Sequence, residues 1–180
     1  MTTFRIAVRL RAPDPAARTA RLALSRVMPA ECPAILSRYD LWEFDVESGG
    51  LEVVEAILGR YPDILNPNKQ ESLVLGGEPL PGEDASMTWV SVEISDRDSG
   101  SSAGWSSVIG RAGFPVAEVR CKVLWILGYP GSATTGEVLE KAGAVAVSVT
   151  RSRGLLSNPV SQTARIFIPE RPGSEGSPGK

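Results

Sequence analysis

Leu65 to Leu75 reads LNPNKQESLVL, and Ser157 to Phe167 reads SNPVSQTARIF. In both, an apolar-patterned segment stops at an Asn-Pro pair and a new segment begins. Proline cannot donate the backbone hydrogen bond that a helix interior or central strand requires, and asparagine bonds nearby amides through its own side chain, so the pair marks a turn. Asn66-Pro67 and Asn158-Pro159 stand 92 residues apart. One such turn in each half raises the expectation of a single unit present twice, and the flanking sequence carries the same order in both places.

In the first half, FRIAVRLR from Phe4 alternates, with Ile6, Val8 and Leu10 on one side, which predicts a half-buried strand. Asp14-Pro15 supplies a helix cap followed by proline at the first helical position. The helix is expected over Ala16 to Met28, with Leu22, Leu24 and Val27 on its buried side. Pro29 and Pro33 end it, and AILSRYDLWEFDV (Ala34 to Val46) resumes as a strand through Leu36, Leu41, Trp42, Phe44 and Val46. After Gly49-Gly50, the stripe Leu51, Val54, Ile57 and Leu58 predicts a helix ending near Pro62. A closing strand around Ser72 to Leu75 follows the Asn-Pro turn.

In the second half, TWVSVEIS (Thr88 to Ser95) alternates with Val90, Val92 and Ile94 inward, 84 residues after Ile6, Val8 and Leu10. SAGWSSVIGRAG is a glycine-weakened helix whose apolar side is Trp105, Val108 and Ile109. VAEVRCKVLWIL is a strand in which Leu124-Trp125 matches Leu41-Trp42 at an offset of 83. Val138 and Leu139 open the next helix, AVAVSV (Ala144 to Val149) can be read as helix or strand, and Thr163 to Ile168 closes the unit.

The predicted class is therefore α+β: a tandem duplication of a β-α-β-α-β unit, a ferredoxin-like sandwich with antiparallel sheets and helices on one face. The first repeat spans residues 1–76 and the second 88–168, joined by a Gly/Pro-rich linker over 77–87 and followed by a polar tail, 169–180, expected to be disordered. Units this small bury little surface alone. The two are expected to pack as a fused pseudo-dimer, sheet against sheet or as one continuous sheet.

Composition narrows the chemistry. A net charge of -2, with arginines scattered along the chain, offers no basic field for nucleic acid or anionic membrane. No apolar run approaches a bilayer span and the start of the chain has no secretory pattern, so a cytoplasmic protein is expected. The chain has no histidine, which excludes Ser-His-Asp and Cys-His catalysis and imidazole-ligated metals. Cys32 and Cys121, far apart and without Cys-x-x-Cys spacing, read as packing residues.

The remaining candidates have plain structural readings. GYPGSATTG (Gly128 to Gly136) could wrap an anion with its amides, but it lacks a basic residue and reads as a turn. Glu93, Asp96 and Asp98 flank Arg97 at a strand end and read as a solvated turn. Asp40, Glu43, Asp45 and Glu47 read as the wet side of a strand. Trp42 and Trp125 fall at matched positions and, with Trp89 and Trp105, read as core or interface packing. Asn68 and Lys69 are exposed turn residues. No catalytic, cofactor-binding or metal-ligating residue is assigned, and no cofactor is expected.

The second half resembles the PurS family, the small subunit of phosphoribosylformylglycinamidine synthase. The likeness rests on Gly113, Phe114, Val116, Val119 and Arg120, then Leu155, Leu156, Asn158, Pro159 and Val160. The first half matches more loosely through Asp14, Pro15, Ile64, Asn66 and Pro67. The resemblance implies strand-helix-strand-helix-strand units that pair, homo-oligomers, and a role without catalysis. Its members bridge the synthetase and glutaminase subunits that carry ammonia from glutamine to formylglycinamide ribonucleotide. Two departures stand out. The family subunit is one repeat, and the Gly-Lys after its Val-Arg strand is replaced here by Tyr39-Asp40 and Lys122-Val123. A tandem ACT-like small-molecule-binding regulator is the competing reading.

Overall fold

The computed structural model describes residues 1–76, 86–98, 100–150 and 154–169, so most of the predicted linker and tail lies outside the described residues. The elements run β1 (Thr2–Leu10), α1 (Pro15–Val27), β2 (Ile35–Val46), α2 (Leu51–Arg60), β3 (Gln70–Leu75), β4 (Met87–Asp96), α3 (Gly100–Arg111), β5 (Val116–Pro130), α4 (Thr135–Ala146) and β6 (Gln162–Phe167). All six strands form one antiparallel sheet in the order β3-β1-β2-β5-β4-β6. Of the two arrangements expected, the continuous sheet is the one formed. Its middle is the pairing of β2 with β5, where Asp40 lies opposite Val123.

Ile6 pairs with Trp42 and Val92 with Trp125, so the strand register sets these two matched pairs 86 residues apart along β1 and β4, beside the 84 that separate Ile6 from Val90. Both displacements preserve the side of the sheet, because side chains alternate with period two.

Each helix forms where its caps and stripe dictate. Asp14 accepts the Ala16 N–H at 2.7 Å, opening α1. Its buried side is Ala17, Ala20, Leu24 and Met28, whereas Leu22 and Val27 are half exposed, against expectation. The observed residues follow a three-to-four-residue period, and the alanines let the helix approach the sheet closely. In α4, Thr134 and Glu137 form a reciprocal capping box. Val138, Ala142, Val145 and Ala146 are buried at helical spacing, so the first part of AVAVSV is helix. Val147 then makes only a single bridge to Ser157.

α3 owes its position to backbone need rather than to propensity. The β4–β5 ladder stops at Ile94–Val123, which leaves Val116 to Lys122 of β5 without a strand on that side. α3 lies there instead. Ser106 Oγ accepts the Val119 N–H at 2.9 Å, and Ser102 Oγ accepts the Cys121 N–H at 3.2 Å. Serines four apart on a helix thus meet amides two apart on a strand, and part-buried amides that no strand pairs on that side are satisfied.

All helices pack on one face, and neither unit owns its core. One cluster joins Ile6, Phe44, Val54 and Ile57 of the first unit to Ile109, Val116 and Val119 of the second. The other joins Ala17, Leu24, Met28 and Leu36 to Val92, Trp125, Leu127, Val138 and Val145. The two Asn-Pro turns have the same wiring. Asn66 Oδ1 accepts from Asn68 N–H (3.1 Å) and Asn158 Oδ1 from Val160 N–H (3.0 Å). Gln70 Oε1 accepts from Asn66 N–H (2.8 Å) and Gln162 Oε1 from Asn158 N–H (3.0 Å). Both turns therefore read Asn-Pro-x-x-Gln, and each delivers the chain into an edge strand.

Because Ile109 is fully buried in a core shared by both units, Ile109→Ala should cost about 2–5 kcal/mol. Guanidinium unfolding followed by tryptophan fluorescence and by far-UV circular dichroism should still show one coincident transition at a lower midpoint. Two separated transitions would mean that the units carry independent cores.

Candidate functional site

The face of the sheet away from the helices carries a row of ionisable side chains at its centre. Tyr39, Leu41, Trp89, Leu124 and Ile126 form an apolar band there, with Ala7, Leu73, Leu75 and Met87 around it. Beside that band lie Glu43, Asp45 and Glu93, each less than 8% exposed although no helix covers them. Carboxylates are rarely this buried unless paired. Here they are paired across strands.

Glu43 sits opposite both Arg5 and Arg120, on the strands to either side. It accepts from Arg5 Nε at 3.2 Å, Arg120 Nε at 3.1 Å and Lys122 Nζ at 2.8 Å. Asp45 takes a two-point contact from Arg120 at 2.7 and 3.0 Å and a hydrogen bond from Thr3 Oγ1 at 2.7 Å. Arg5 also pairs with Glu93. β1 and β4 are separated by β2 and β5, roughly 14 Å in a flat sheet. An arginine and a glutamate can meet across that gap only if the face is concave, and the curvature accounts in part for the burial.

Burial opposes ionisation of Glu43, but hydrogen bonds from Lys122 and Arg120, with the charge of Arg5 behind them, more than offset it and hold its pKa below the usual carboxylate value. The Arg120 contact likewise lowers Asp45 against the opposing effect of burial. Both are carboxylate anions at neutral pH and Arg120 is firmly cationic. Each buried carboxylate meets at least one cation from another strand, so the network positions strands and fixes register.

The sequence-predicted candidates fall as follows. Glu43 and Asp45 are not the wet side of a strand: neighbouring strands place three cations against them, and this overturns the simplest reading of DLWEFDVE. Asp40 is on the other face, near Arg38. Glu93 belongs to the network, while Asp96 and Asp98 are exposed and Asp96 accepts from Gln162 Nε2 at 3.0 Å, so the three acids are not brought together. In GYPGSATTG, Gly131 N–H bonds the Ser86 carbonyl at 3.0 Å and Thr134 is consumed by its capping box, which supports a turn. Trp42 and Trp125 lie in the two helix-side cores and Trp105 meets the Trp42 ring edge-on, while Trp89 packs on the opposite face. Asn68 and Lys69 are turn residues whose backbone amides bond Asn66. Burial pushes the Cys121 thiol up to about 11 and also raises that of Cys32, so neither is poised as a nucleophile.

The network itself was missed in the sequence, yet it left a trace. Arg5, Glu43 and Arg120 each alternate with apolar residues, and opposite charges at period-two positions of strands that become neighbours are the signature of a cross-strand ion pair. Among the described residues no group of three His, Cys, Asp or Glu side chains is disposed to hold a metal, and no helix is long and apolar enough to cross a membrane. No protein-family model, curated protein or solved structure matches the chain.

Since folding lowers the pKa of Glu43 and Asp45, their stabilisation is complete above the unfolded carboxylate value near about 4 and is lost as pH falls through the folded values below it. Glu43→Gln leaves Lys122 without its carboxylate and takes one of two or more from Arg5 and Arg120, and should cost about 2–4 kcal/mol at pH 7. In urea unfolding the penalty should be smaller at pH 3 than at pH 7, because at pH 3 the carboxylates of the unfolded chain are already largely protonated. A penalty equal at both pH values would show that the charge of Glu43 is immaterial.

Proposed function

We propose that this protein is a non-catalytic accessory protein of the PurS kind, built of two diverged tandem repeats and acting by protein–protein contact. The observation that carries the reading is the Asn-Pro-x-x-Gln turn, wired identically in both units and leading in each to an edge strand of one sheet. The joining of the two three-stranded halves through β2 and β5 supports the reading of a fused pair. Its partners would be the synthetase and glutaminase subunits of formylglycinamidine ribonucleotide synthesis, and its outer strands β3 and β6 leave one edge each for a further copy.

The departures from the family pattern have a place in the fold. Tyr39-Asp40 and Lys122-Val123, which stand where the family has Gly-Lys, lie at the middle of the β2–β5 pairing, with Asp40 opposite Val123 and Tyr39 fully buried. In a protein whose two halves are covalently joined, those positions serve the internal seam. Partner contact then falls to surfaces outside it.

Affinity capture from the native lysate on the immobilised protein tests this reading. Recovery of a purine-pathway synthetase or glutaminase is the expected result. Recovery of neither, together with a thermal shift produced by a free amino acid or nucleoside, would replace it with the ACT-like regulator.

A further inference from the structure

Arginines scattered in the sequence meet at one corner of the fold. Arg9 and Arg11 at the end of β1, Arg18 and Arg21 on α1, and Arg38 on β2 line a cleft of about 490 Å³ together with Asp14. Glu71 serves both Arg9 (2.6 Å) and Arg11 (3.7 Å), and Arg38 is divided between Asp40 (2.8 Å) and Asp14 (3.8 Å). Arg18 and Arg21 are exposed, and their guanidiniums have no partner among the described residues. Five guanidiniums against three carboxylates leave two positive charges in excess, in a chain whose net charge is -2.

The fold explains why the space exists and shows that it does not require arginine. The β1–β2 ladder ends at Val8–Asp40, so Ile35 to Tyr39 of β2 has no strand on that side. The corresponding stretch of β5 is closed by α3, whose serines take up the strand amides. In the first unit the gap between α1 and β2 stays open. At the places of Arg9 and Arg38 the second unit has Ser95 and Cys121, matched through the strand register.

We propose that this cleft binds the phosphoryl or pyrophosphoryl group of a small metabolite. Guanidiniums arrive from β1, α1 and β2, and a tetrahedral phosphoryl group offers acceptor oxygens in as many directions, whereas a planar carboxylate satisfies one or two forks. The helix N-terminus contributes nothing to the assignment, because Asp14 already occupies its first amide. The one aromatic residue of the lining, Tyr39, is buried, so the cleft recognises the phosphate and offers no platform for a base. The inference is independent of the accessory-protein reading, since a phosphate site can stand or fall whatever protein partner is recovered.

Calorimetric titration of the full chain with inorganic pyrophosphate at fixed ionic strength tests it. Saturable one-to-one binding is expected, weakened about tenfold or more in Arg18→Gln/Arg21→Gln, where two charge-assisted hydrogen bonds are lost. Neither guanidinium has a hydrogen-bond or ion-pair partner among the described residues, so the double variant should melt at the wild-type temperature without ligand. Arg26→Gln, on the same helix outside the cleft, should bind as wild type. Absence of saturable binding, equal affinity in the double variant, or citrate binding as tightly as pyrophosphate would overturn the assignment.

Discussion

The pairing of β2 with β5 is the contact on which everything else in this molecule depends. It runs from Ile35 opposite Gly128 to Val46 opposite Val116, and it turns two three-stranded pieces into one sheet. A three-stranded sheet with two short helices buries too little apolar surface to offset the entropy of ordering its chain. Joined at the seam, the halves share two cores, each drawing helices and strands from both. Folding is thereby made a property of the whole chain.

The seam also decides what each face of the sheet can do. On the helix side, Leu36 meets Leu127 and Phe44 meets Val119, so the pairing is reinforced by apolar contact. On the concave side it places Glu43 against Arg120 and Tyr39 against Leu124. A shift by one residue would carry Glu43 and Asp45 into the apolar cores, which is prohibitive for charges without partners. The ion network thus works as a register lock, whatever its net contribution to stability. The same geometry leaves two corners where a long central strand outruns its outer neighbour; a serine-bearing helix fills one, and arginines line the other.

Much of this architecture is legible in the sequence, because element type depends on local pattern. Alternation at FRIAVRLR and TWVSVEIS, the cap at Asp14-Pro15 and the stripe Val54, Ile57, Leu58 each correspond to an observed element. The buried side of α1 was misread since Leu22 and Val27 look better suited to a core than Ala17 and Ala20; which side faces the sheet is set by approach distance, and hydrophobicity alone does not show it. The ion network and the arginine cleft were illegible for a different reason. Arg5 and Glu93, or Arg9 and Arg38, become neighbours only through strand order, and strand order is a long-range property. The glutamine of Asn-Pro-x-x-Gln was visible in both turns, yet only the bonded geometry reveals its part.

The account stands on the seam, and nuclear Overhauser contacts between β2 and β5 in solution test it most directly. The central claim predicts Hα–Hα contacts at alternate pairs of the register that sets Asp40 opposite Val123, together with amides of both strands that exchange as slowly as those of β1 and β4. Fast-exchanging β2 and β5 amides with no cross-strand contacts, while β1–β2 and β4–β5 contacts persist, would show two separate three-stranded units and contradict it.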